Sequence, residues 1–225
     1  MFQHAYLSPW HHPLFAFCAA IVTLLVLAVR RPVSSLRAFG ALLVVESAVD
    51  AFCTGAWSPL PKSSGWTGVI AFLFVILGDL RFLFLVERQP QPASLRRDLN
   101  RGQAAAVALG IAMLVPLLVG ALMVARPVTF STEQNLYLAY ELAFVGIVLA
   151  VIRRVRSTHP EGPMRRWLLV LCGLELVQYG TWALADILVL TVGDAGYALR
   201  FLPNGIYYGA FTLVAVYTAP AEAVA

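Results

Sequence analysis

Two carboxylates stand one helical turn apart inside an apolar stretch of the sequence. Glu46 and Asp50 lie between Ala41 and Trp57, so a membrane-crossing helix over this stretch places both acids on one face near its middle. A charged residue at the centre of such a helix costs roughly 2.5 kcal/mol or more, and it usually faces a bundle interior and marks a functional site. A carboxylic acid in an apolar site stays protonated at neutral pH and can donate its proton. The pair therefore predicts a central pocket in which Glu46 and Asp50 carry the chemistry.

Helical spacing brings further acids and aromatic rings to this pocket. At about 1.5 Å of rise per residue, Glu46, Glu141, Glu175 and Asn204 fall near one central layer of the membrane. The catalytic candidates are Glu46, Asp50, Asp79, Glu141 and Glu175. The substrate-binding candidates are Trp57, Tyr137, Tyr140, Gln178, Tyr179, Trp182, Arg200, Asn204 and Tyr207. Together they predict an acidic cavity with aromatic walls.

Simpler interpretations stay open for several of these residues. Asp79, Glu141 and Asp186 could each pair with Arg81 or Arg200, or bond a hydroxyl group of a neighbouring helix. Trp57 and Trp182 also suit an interfacial belt or ordinary packing. For Glu46 with Asp50 the functional interpretation is preferred, because their own span holds no basic residue.

The elements that position these side chains are predicted to be membrane helices. The chain has 225 residues, of which 60% are apolar and 12% charged, and a soluble domain of this length could not bury so much apolar surface. Apolar runs of the length needed to cross a bilayer predict seven spans in a single domain, residues 1–225. These spans are 13–29, 38–57, 66–86, 104–125, 133–152, 167–190 and 197–217. The predicted fold class is an all-α, polytopic bundle of seven transmembrane helices.

The distribution of basic residues predicts the orientation of the bundle. The loops after the first, third and fifth spans hold twelve arginines, whereas the alternate loops hold only Lys62 and Arg126. The twelve are Arg30, Arg31, Arg37, Arg88, Arg96, Arg97, Arg101, Arg153, Arg154, Arg156, Arg165 and Arg166. Because basic loops stay in the cytoplasm, the N-terminus is predicted outside and the C-terminus inside, in a membrane of the bacterial cytoplasmic type.

Several kinds of site are not indicated by the sequence. The cysteines are three and lie within apolar segments, and the histidines lack the spacing of an intramembrane zinc site. No Asp-rich diphosphate-binding motif occurs, and the seventh span has no lysine for a retinal Schiff base. Basic residues in scattered loops do not suit nucleic acid. We expect no metal and no cofactor; the expected partners are a lipophilic small molecule and membrane lipid, and no oligomeric state is indicated.

The first functional hypothesis is an intramembrane enzyme that works by protonation. A protonated Glu46, with Asp50 as its hydrogen-bonded partner, would transfer a proton to an alkene or epoxide of a lipophilic substrate. Aromatic ring faces would stabilise the resulting carbocation, and Glu175 or Glu141 would receive the final proton. A bundle core keeps water away from such an intermediate.

Several short motifs resemble the small integral-membrane terpene cyclases of fungal meroterpenoid and indole-diterpene pathways and their bacterial counterparts. They are the seven spans, Glu46 in the second, the Gly78-Asp79 pair in the third, the loop Arg156-Ser157-Thr158 and the seventh-span motif Asn204-Gly205-Ile206-Tyr207. This resemblance implies proton-initiated cyclisation of a prenylated substrate without a metal ion or loss of diphosphate. The family has an Asp where this chain has Asn204, which puts a second catalytic acid in doubt.

The second hypothesis is a transporter coupled to protons or cations. Carboxylates in the middle of a membrane are common ion-loading sites, and Pro203-Asn204-Gly205 is expected to interrupt the seventh span as in broken transporter helices. A seven-span receptor also fits the topology, but the short loops offer little surface for a partner protein, so this class ranks last.

Overall fold

The computed structural model describes residues 1–30, 32, 34–60, 65–89, 101–126, 129 and 133–221, and these residues are almost entirely helical. The α-helices are α1 (Phe2–Tyr6), α2 (Ala16–Arg30), α3 (Ser34–Thr54), α4 (Gly65–Glu87), α5 (Arg101–Ala125), α6 (Glu133–Thr158), α7 (Pro163–Val192), α8 (Gly196–Gly205) and α9 (Phe211–Tyr217). Wider π-turns occupy Trp10–Phe15 and Ile206–Ala210, and a 3₁₀ turn occupies Gly193–Ala195. No strand occurs among the described residues, so the all-α prediction is confirmed.

The predicted spans coincide with helices over nearly their whole length. The exception is span two, because α3 ends at Thr54 and the predicted span continued to Trp57. Among the described residues, four helical stretches are long and apolar enough to cross a membrane, and they occupy Trp10–Arg30, Gly102–Ala125, Gln134–Thr158 and Pro163–Tyr217. Of the loop cations used for the orientation, Arg31, Lys62, Arg96 and Arg97 lie outside the described residues.

The helices pack mainly against their neighbours in sequence. Helix α3 lies against α2 and α4, and α7 lies against α6 and α8. Helix α9 closes the bundle by contacting α2, α3 and α7, and the indole N–H of Trp167 on α7 donates to the carbonyl of Ala215 on α9 at 3.1 Å. The bundle therefore brings α3, α4, α7 and the α8–α9 segment around one interior.

Apolar side chains fill this interior and also cover much of the outside. Four phenylalanines, Phe39, Phe82, Phe144 and Phe211, are fully or almost fully buried. On α2 and α5 large apolar side chains also point outward, among them Leu24, Leu25, Leu114, Leu117 and Leu118. Exposed apolar area of this extent suits contact with lipid rather than with water.

Candidate functional site

Four ionisable side chains from three helices meet in the interior. They are Glu46 of α3, Asp79 and Arg81 of α4, and Glu175 of α7, and we call them the central cluster. Each is at most 5% exposed. Arg81 Nη1 donates to Glu46 Oε2 at 3.0 Å, and Glu175 interacts electrostatically with Asp79, Arg81 and Glu46. Glu46 is thus buried in the interior, as the sequence predicts, and its basic partner comes from a different helix, since its own span holds none.

The pairing differs from the expectation because α4 is enclosed on more than one face. Sequence spacing places Asp79 and Arg81 on different sides of α4, yet both side chains are buried, at 1% and 4% exposure. Arg81 can therefore reach across to α3. Its guanidinium carbon also lies 5.3 Å from the ring centre of Phe39 and 5.1 Å from that of Tyr207, which are cation–π distances.

Three tyrosines donate hydrogen bonds to two acids of the central cluster. Tyr140 of α6 and Tyr179 of α7 both donate their hydroxyl groups to Asp79. Tyr207 donates to Glu46, and its hydroxyl oxygen also lies 3.2 Å from the carbonyl oxygen of Phe74. These tyrosines were predicted to bind substrate, and in this structure their hydroxyl groups are occupied by the acids.

The central cluster has more acids than cations. If Glu46, Asp79 and Glu175 were all ionised, Arg81 would neutralise one charge and two negative charges would stay buried. Burial costs several kcal/mol per ion when no partner compensates it. Protons are therefore the simplest means of balancing the cluster, and Glu46 is the member best suited to remain a carboxylate because Arg81 pairs with it.

Glu175 differs from the other two acids in its hydrogen bonding. Its Oε2 atom is buried and has no hydrogen-bond partner in the described part of the chain. Asp79, in contrast, accepts two hydroxyl groups, and Glu46 accepts a guanidinium and a hydroxyl group. Glu175 is thus the acid of the cluster with an oxygen available for another group.

Asp50 lies one turn further along α3 and has a different set of contacts. It is 8% exposed and accepts the hydroxyl group of Tyr208 at 2.5 Å. His12 Nε2 lies 4.0 Å from the same carboxylate. Asp50 is therefore buried as predicted, and its contacts run toward the N-terminal segment.

A π-turn supplies the tyrosines that bond these two acids. Tyr207 and Tyr208 are consecutive residues of the turn Ile206–Ala210, and their rings meet edge to face with centres 4.9 Å apart. One tyrosine bonds Glu46 and the other bonds Asp50, one helical turn away. Single π-turns inside helices often occur at functional sites. Pro203-Asn204-Gly205, which were expected to interrupt span seven, lie within α8, and the π-turn begins at the next residue, Ile206.

Gly78 allows Tyr207 to approach α4. A Cβ atom at position 78 would lie 2.7 Å from Tyr207 Cε2 and 2.9 Å from its hydroxyl oxygen, closer than packed atoms tolerate. The Gly78-Asp79 pair therefore has a packing reason: the glycine admits the ring that bonds Glu46, and the following residue accepts two other tyrosines.

Asn204 connects three parts of the structure through its amide. Its Oδ1 accepts the indole N–H of Trp182 at 2.8 Å, and its Nδ2 lies 3.2 Å from both the hydroxyl oxygen of Tyr6 and Nε2 of His11. Only an amide offers both an acceptor and donors at these places. The Asn at this position therefore serves as a connector between α7, α8 and the N-terminal segment.

A second set of ionisable side chains lies apart from the central cluster. Asp186 of α7 accepts a hydrogen bond from Arg200 of α8, and Glu141 of α6 interacts electrostatically with both. We call Glu141, Asp186 and Arg200 the distal cluster. Arg200 also lies 5.7 Å from the ring centres of Tyr6 and Tyr197. The sequence grouped Glu141 with Glu46 and Glu175 in one chamber, whereas the charges that act on it in the structure are those of Asp186 and Arg200.

The remaining predicted substrate contacts lie at different depths. Gln178 is buried on α7, and Tyr137 is half-buried one turn before Glu141. Trp182 packs against Tyr179 and Tyr207, with ring centres 5.3 and 5.7 Å apart. Trp57 is 55% exposed beyond the end of α3, which suits the belt interpretation.

Sequence reasoning missed several residues of the site. Arg81 was considered only as a possible ion-pair partner, and Tyr6, His11 and His12 were not among the candidates. The π-turn that presents Tyr208 to Asp50 also went unrecognised. One feature of the sequence could have indicated the π-turn contacts: the consecutive residues Tyr207 and Tyr208 offer two hydroxyl donors for the two acids Glu46 and Asp50, which lie one helical turn apart.

Two pockets among the described residues lie away from the central acids. One is lined by Gln3, His4, Leu7, Ser8 and Pro9, and another by Glu161, Gly162, Arg165, Arg166 and Leu169. Around the central acids, Arg81 and three tyrosines occupy the positions where a substrate was expected. Within the described ranges, no group of three or more His, Cys, Asp or Glu side chains is arranged to hold a metal ion.

Comparisons of the chain with protein-family models, with curated proteins and with solved structures find no match.

Proposed function

We propose that the chain is a seven-span membrane enzyme that protonates a lipophilic prenylated substrate and so starts its cyclisation, as in the terpene cyclases that its motifs resemble. Its N-terminus would lie outside a membrane of the bacterial cytoplasmic type and its C-terminus inside. The observation that carries this proposal is the central cluster, in which three buried carboxyl groups and one guanidinium are enclosed by aromatic rings. Such a cluster can hold a proton in a site that excludes water, and acid-initiated carbocation chemistry requires both.

The contacts of the acids assign their roles. Glu175 is the proposed donor, because one of its carboxyl oxygens has no partner in the described residues. Its O–H bond breaks as the proton adds to an alkene carbon or an epoxide oxygen, and a carbon–carbon bond then forms to the cationic centre. Glu46, kept ionised by Arg81, accepts the proton that the product cation loses. Transfer of that proton back to Glu175 restores the site, so the overall reaction is an isomerisation.

The aromatic side chains define where the substrate must enter. Trp182 lies against Tyr179 and Tyr207 and is held by one hydrogen bond to Asn204. Movement of this half-buried indole is the proposed opening step, and it would leave Tyr179 and Tyr207 facing the cation. Ring faces of this kind stabilise positive charge without reacting with it.

The test is product formation in membranes that contain the protein. Farnesylated and geranylgeranylated aromatic substrates, with and without a terminal epoxide, are incubated with the membranes, and cyclised products are identified by mass spectrometry. Loss of a general acid lowers the rate by roughly 10²- to 10⁴-fold, so Glu175→Gln should show a decrease of that size. Unchanged turnover in a folded Glu175→Gln variant would remove Glu175 from the mechanism.

A matched control comes from the same bundle. Glu87 is also buried and pairs with an arginine, Arg154, but it lies two turns away from Asp79 on α4. Glu87→Gln therefore disturbs a buried acid–arginine pair without touching the central cluster. Its turnover per folded molecule should match that of the unmodified protein. An equal loss in both variants would assign the effect to folding rather than to proton transfer.

Transport of protons or cations is the second candidate, favoured by the contacts that lead away from the central cluster. From Tyr207 the sequence continues to Tyr208, which bonds Asp50, and Asp50 approaches His12 of the N-terminal segment. Purified protein in liposomes with a pH-sensitive dye tests this candidate. Proton movement that Glu46→Gln abolishes, together with no product from any prenylated substrate, would replace the enzyme proposal.

A further inference from the structure

The side-chain amide of Asn204 has only one orientation that satisfies its neighbours. The indole N–H of Trp182 can only donate, so the amide atom 2.8 Å from it is the acceptor Oδ1. The two hydrogens of Nδ2 then point to the hydroxyl oxygen of Tyr6 and to Nε2 of His11, each 3.2 Å away. Asn204 and His11 are both buried, so water has little access to replace these bonds.

The orientation of this amide fixes the protonation state of His11. Nε2 of the ring faces an N–H group of Asn204 and therefore accepts. Nδ1 lies 2.8 Å from the backbone carbonyl oxygen of Tyr6, which can only accept, so Nδ1 carries the hydrogen. His11 is thus a neutral imidazole, and one chain of hydrogen bonds runs from Trp182 through Asn204 and His11 to the backbone of Tyr6.

A second proton on His11 is incompatible with this chain of hydrogen bonds. An imidazolium donates from both ring nitrogens, so its Nε2–H would face Nδ2–H of Asn204. Turning the amide over would offer Oδ1 to His11 but would place the NH₂ group against the indole N–H of Trp182, so the two opposed donors would only move. Because a buried donor without an acceptor is costly, protonation favours separation of His11 from Asn204.

The same chain of hydrogen bonds fastens the N-terminal segment, residues 2–15, to the bundle. The other end of the segment is held at helix α1, where the backbone N–H groups of Phe2 and Gln3 donate to the exposed Asp194 at 3.0 and 2.8 Å. Helix α1 lies on α8 and has no buried residue. Its attachment therefore depends on exposed contacts, and His11 provides the buried polar contact of the segment.

The charged groups that the described residues place around the N-terminal segment give a protonated His11 no carboxylate partner. Next to it in the chain is His12, whose Nε2 lies 4.0 Å from Asp50 Oδ2 on α3. Helix α8 contributes the cation Arg200, which pairs with Asp186 of α7, and α2 has no charged residue before its last one. The ionisable hydroxyl groups at this end are those of Tyr6, Tyr197 and Tyr208. A proton on His12 would thus draw the segment toward Asp50, the opposite of the effect of a proton on His11.

We propose that His11 is a pH-sensitive latch that fastens the N-terminal segment to Asn204. At neutral pH the uncharged ring completes the chain of hydrogen bonds and the segment stays on the bundle. Histidine is the side chain that ordinarily gains its charge between pH 8 and 5, so acidification adds a proton to Nε2, breaks the bond to Asn204 and releases the segment. The latch does not depend on the reaction proposed for the central cluster.

Nitrogen-15 NMR of the full-length protein in lipid bilayers, with the label only in histidine, tests the state of the ring. The chain has four histidines, and their signals are assigned by replacing each in turn with glutamine. At pH 7.5 the signals of His11 should be those of a neutral ring with its hydrogen on Nδ1. A charged ring, or a hydrogen on Nε2 instead, overturns the proposal.

A spin label on the N-terminal segment reports its release. The label is attached to Leu7→Cys in a variant in which Cys18, Cys53 and Cys172 are replaced by alanine, and Leu7 is 61% exposed, so the label does not disturb packing. Between pH 7.5 and pH 5, a mobile component should appear over the same range in which the NMR signals of His11 become those of a charged ring. A charged His11 with an immobile label overturns the latch, and so does a ring that stays neutral throughout.

Asn204→Asp is the decisive variant because it replaces the donor that faces His11 by an acceptor. The carboxylate keeps one oxygen for Trp182 and offers the other to a protonated ring, so His11 should be charged already at pH 7.5 and the label should stay immobile down to pH 5. His12→Gln is the matched control and should leave the behaviour of the unmodified protein unchanged. Loss of the transition in His12→Gln, or release of the segment in folded Asn204→Asp, assigns the effect to another group and overturns the latch.

Discussion

The contact between Gly78 and Tyr207 gives a prediction whose size follows from the structure. Gly78→Ala should gain about 1 kcal/mol from helix propensity but lose roughly 1–3 kcal/mol from overpacking, because its Cβ would lie 2.7 Å from the Tyr207 ring. The ring cannot easily retreat, since its hydroxyl group bonds Glu46. The expected net result is a loss of about 0–2 kcal/mol.

Gly110 on α5 provides the matched control for this substitution. A Cβ atom at position 110 would meet nothing within 4 Å, so Gly110→Ala keeps the propensity gain without the clash. The difference between the two variants then isolates the contact, at roughly 1–3 kcal/mol. For a chain of this length that corresponds to roughly 2–12 °C in apparent Tm.

The assay is thermal unfolding in detergent at one fixed heating rate, followed by tryptophan fluorescence, because membrane proteins often unfold irreversibly. The same pair of glycine variants is then measured with Tyr207→Leu in the background. Removing the ring should bring Gly78→Ala and Gly110→Ala to the same stability change. If the two variants already melt together when Tyr207 is present, the close approach of Tyr207 to α4 is refuted.

Two further predictions concern charged groups inside and outside the spans. Glu46→Gln should lower the free energy of unfolding by about 3–5 kcal/mol, because it leaves the buried Arg81 without its ion pair. Glu161→Gln breaks the exposed pair with Arg165 and should change the free energy of unfolding by less than about 1 kcal/mol. Chemical denaturation of both variants checks this, and similar losses would contradict the buried pair. His159 lies in the turn between α6 and α7, where burial, and then the charge of Arg154, lowers its pKa from the ordinary value of 6.5. Below pH 6.5 the unfolded chain binds a proton that folded His159 resists, so stability should fall as the pH drops through this range, and His159→Gln should flatten the slope. Tm measured from pH 7.5 to 5 checks this, and a curve for His159→Gln that runs parallel to that of the unmodified protein would contradict it.

The helices and the buried positions of the acids were readable from the sequence for a physical reason. Backbone polar groups inside a bilayer must bond within their own segment, so long apolar runs can only be helices. Because a charged side chain in the middle of a membrane is costly in free energy, Glu46, Asp79 and Glu175 are expected to point into the bundle. These expectations need no knowledge of which helices are neighbours, and all three side chains are buried in the structure.

The partners of the acids were not readable, because periodicity fixes a face of one helix but not its rotation against the others. Tyr140 and Glu141 are adjacent on α6, yet Tyr140 bonds Asp79 of the central cluster and Glu141 interacts electrostatically with Asp186 and Arg200 of the distal cluster. Arg81 likewise reaches Glu46 only because α4 is enclosed on two sides. The part played by Tyr6 and His11 depends on where the N-terminal segment folds back, which no local pattern reports.

The charge balance of the interior explains why position 204 can be an Asn in this chain. An Asp at this place would keep the acceptor for Trp182 but could not donate to His11, and it would add a fourth acid beside a central cluster that already has three acids for one guanidinium. The Asn amide satisfies its neighbours without charge, so nothing at position 204 competes with Glu175 for a proton. If the chain catalyses proton transfer, its acid chemistry must therefore come from α3, α4 and α7, and span seven contributes the tyrosine that bonds Glu46 rather than an acid of its own.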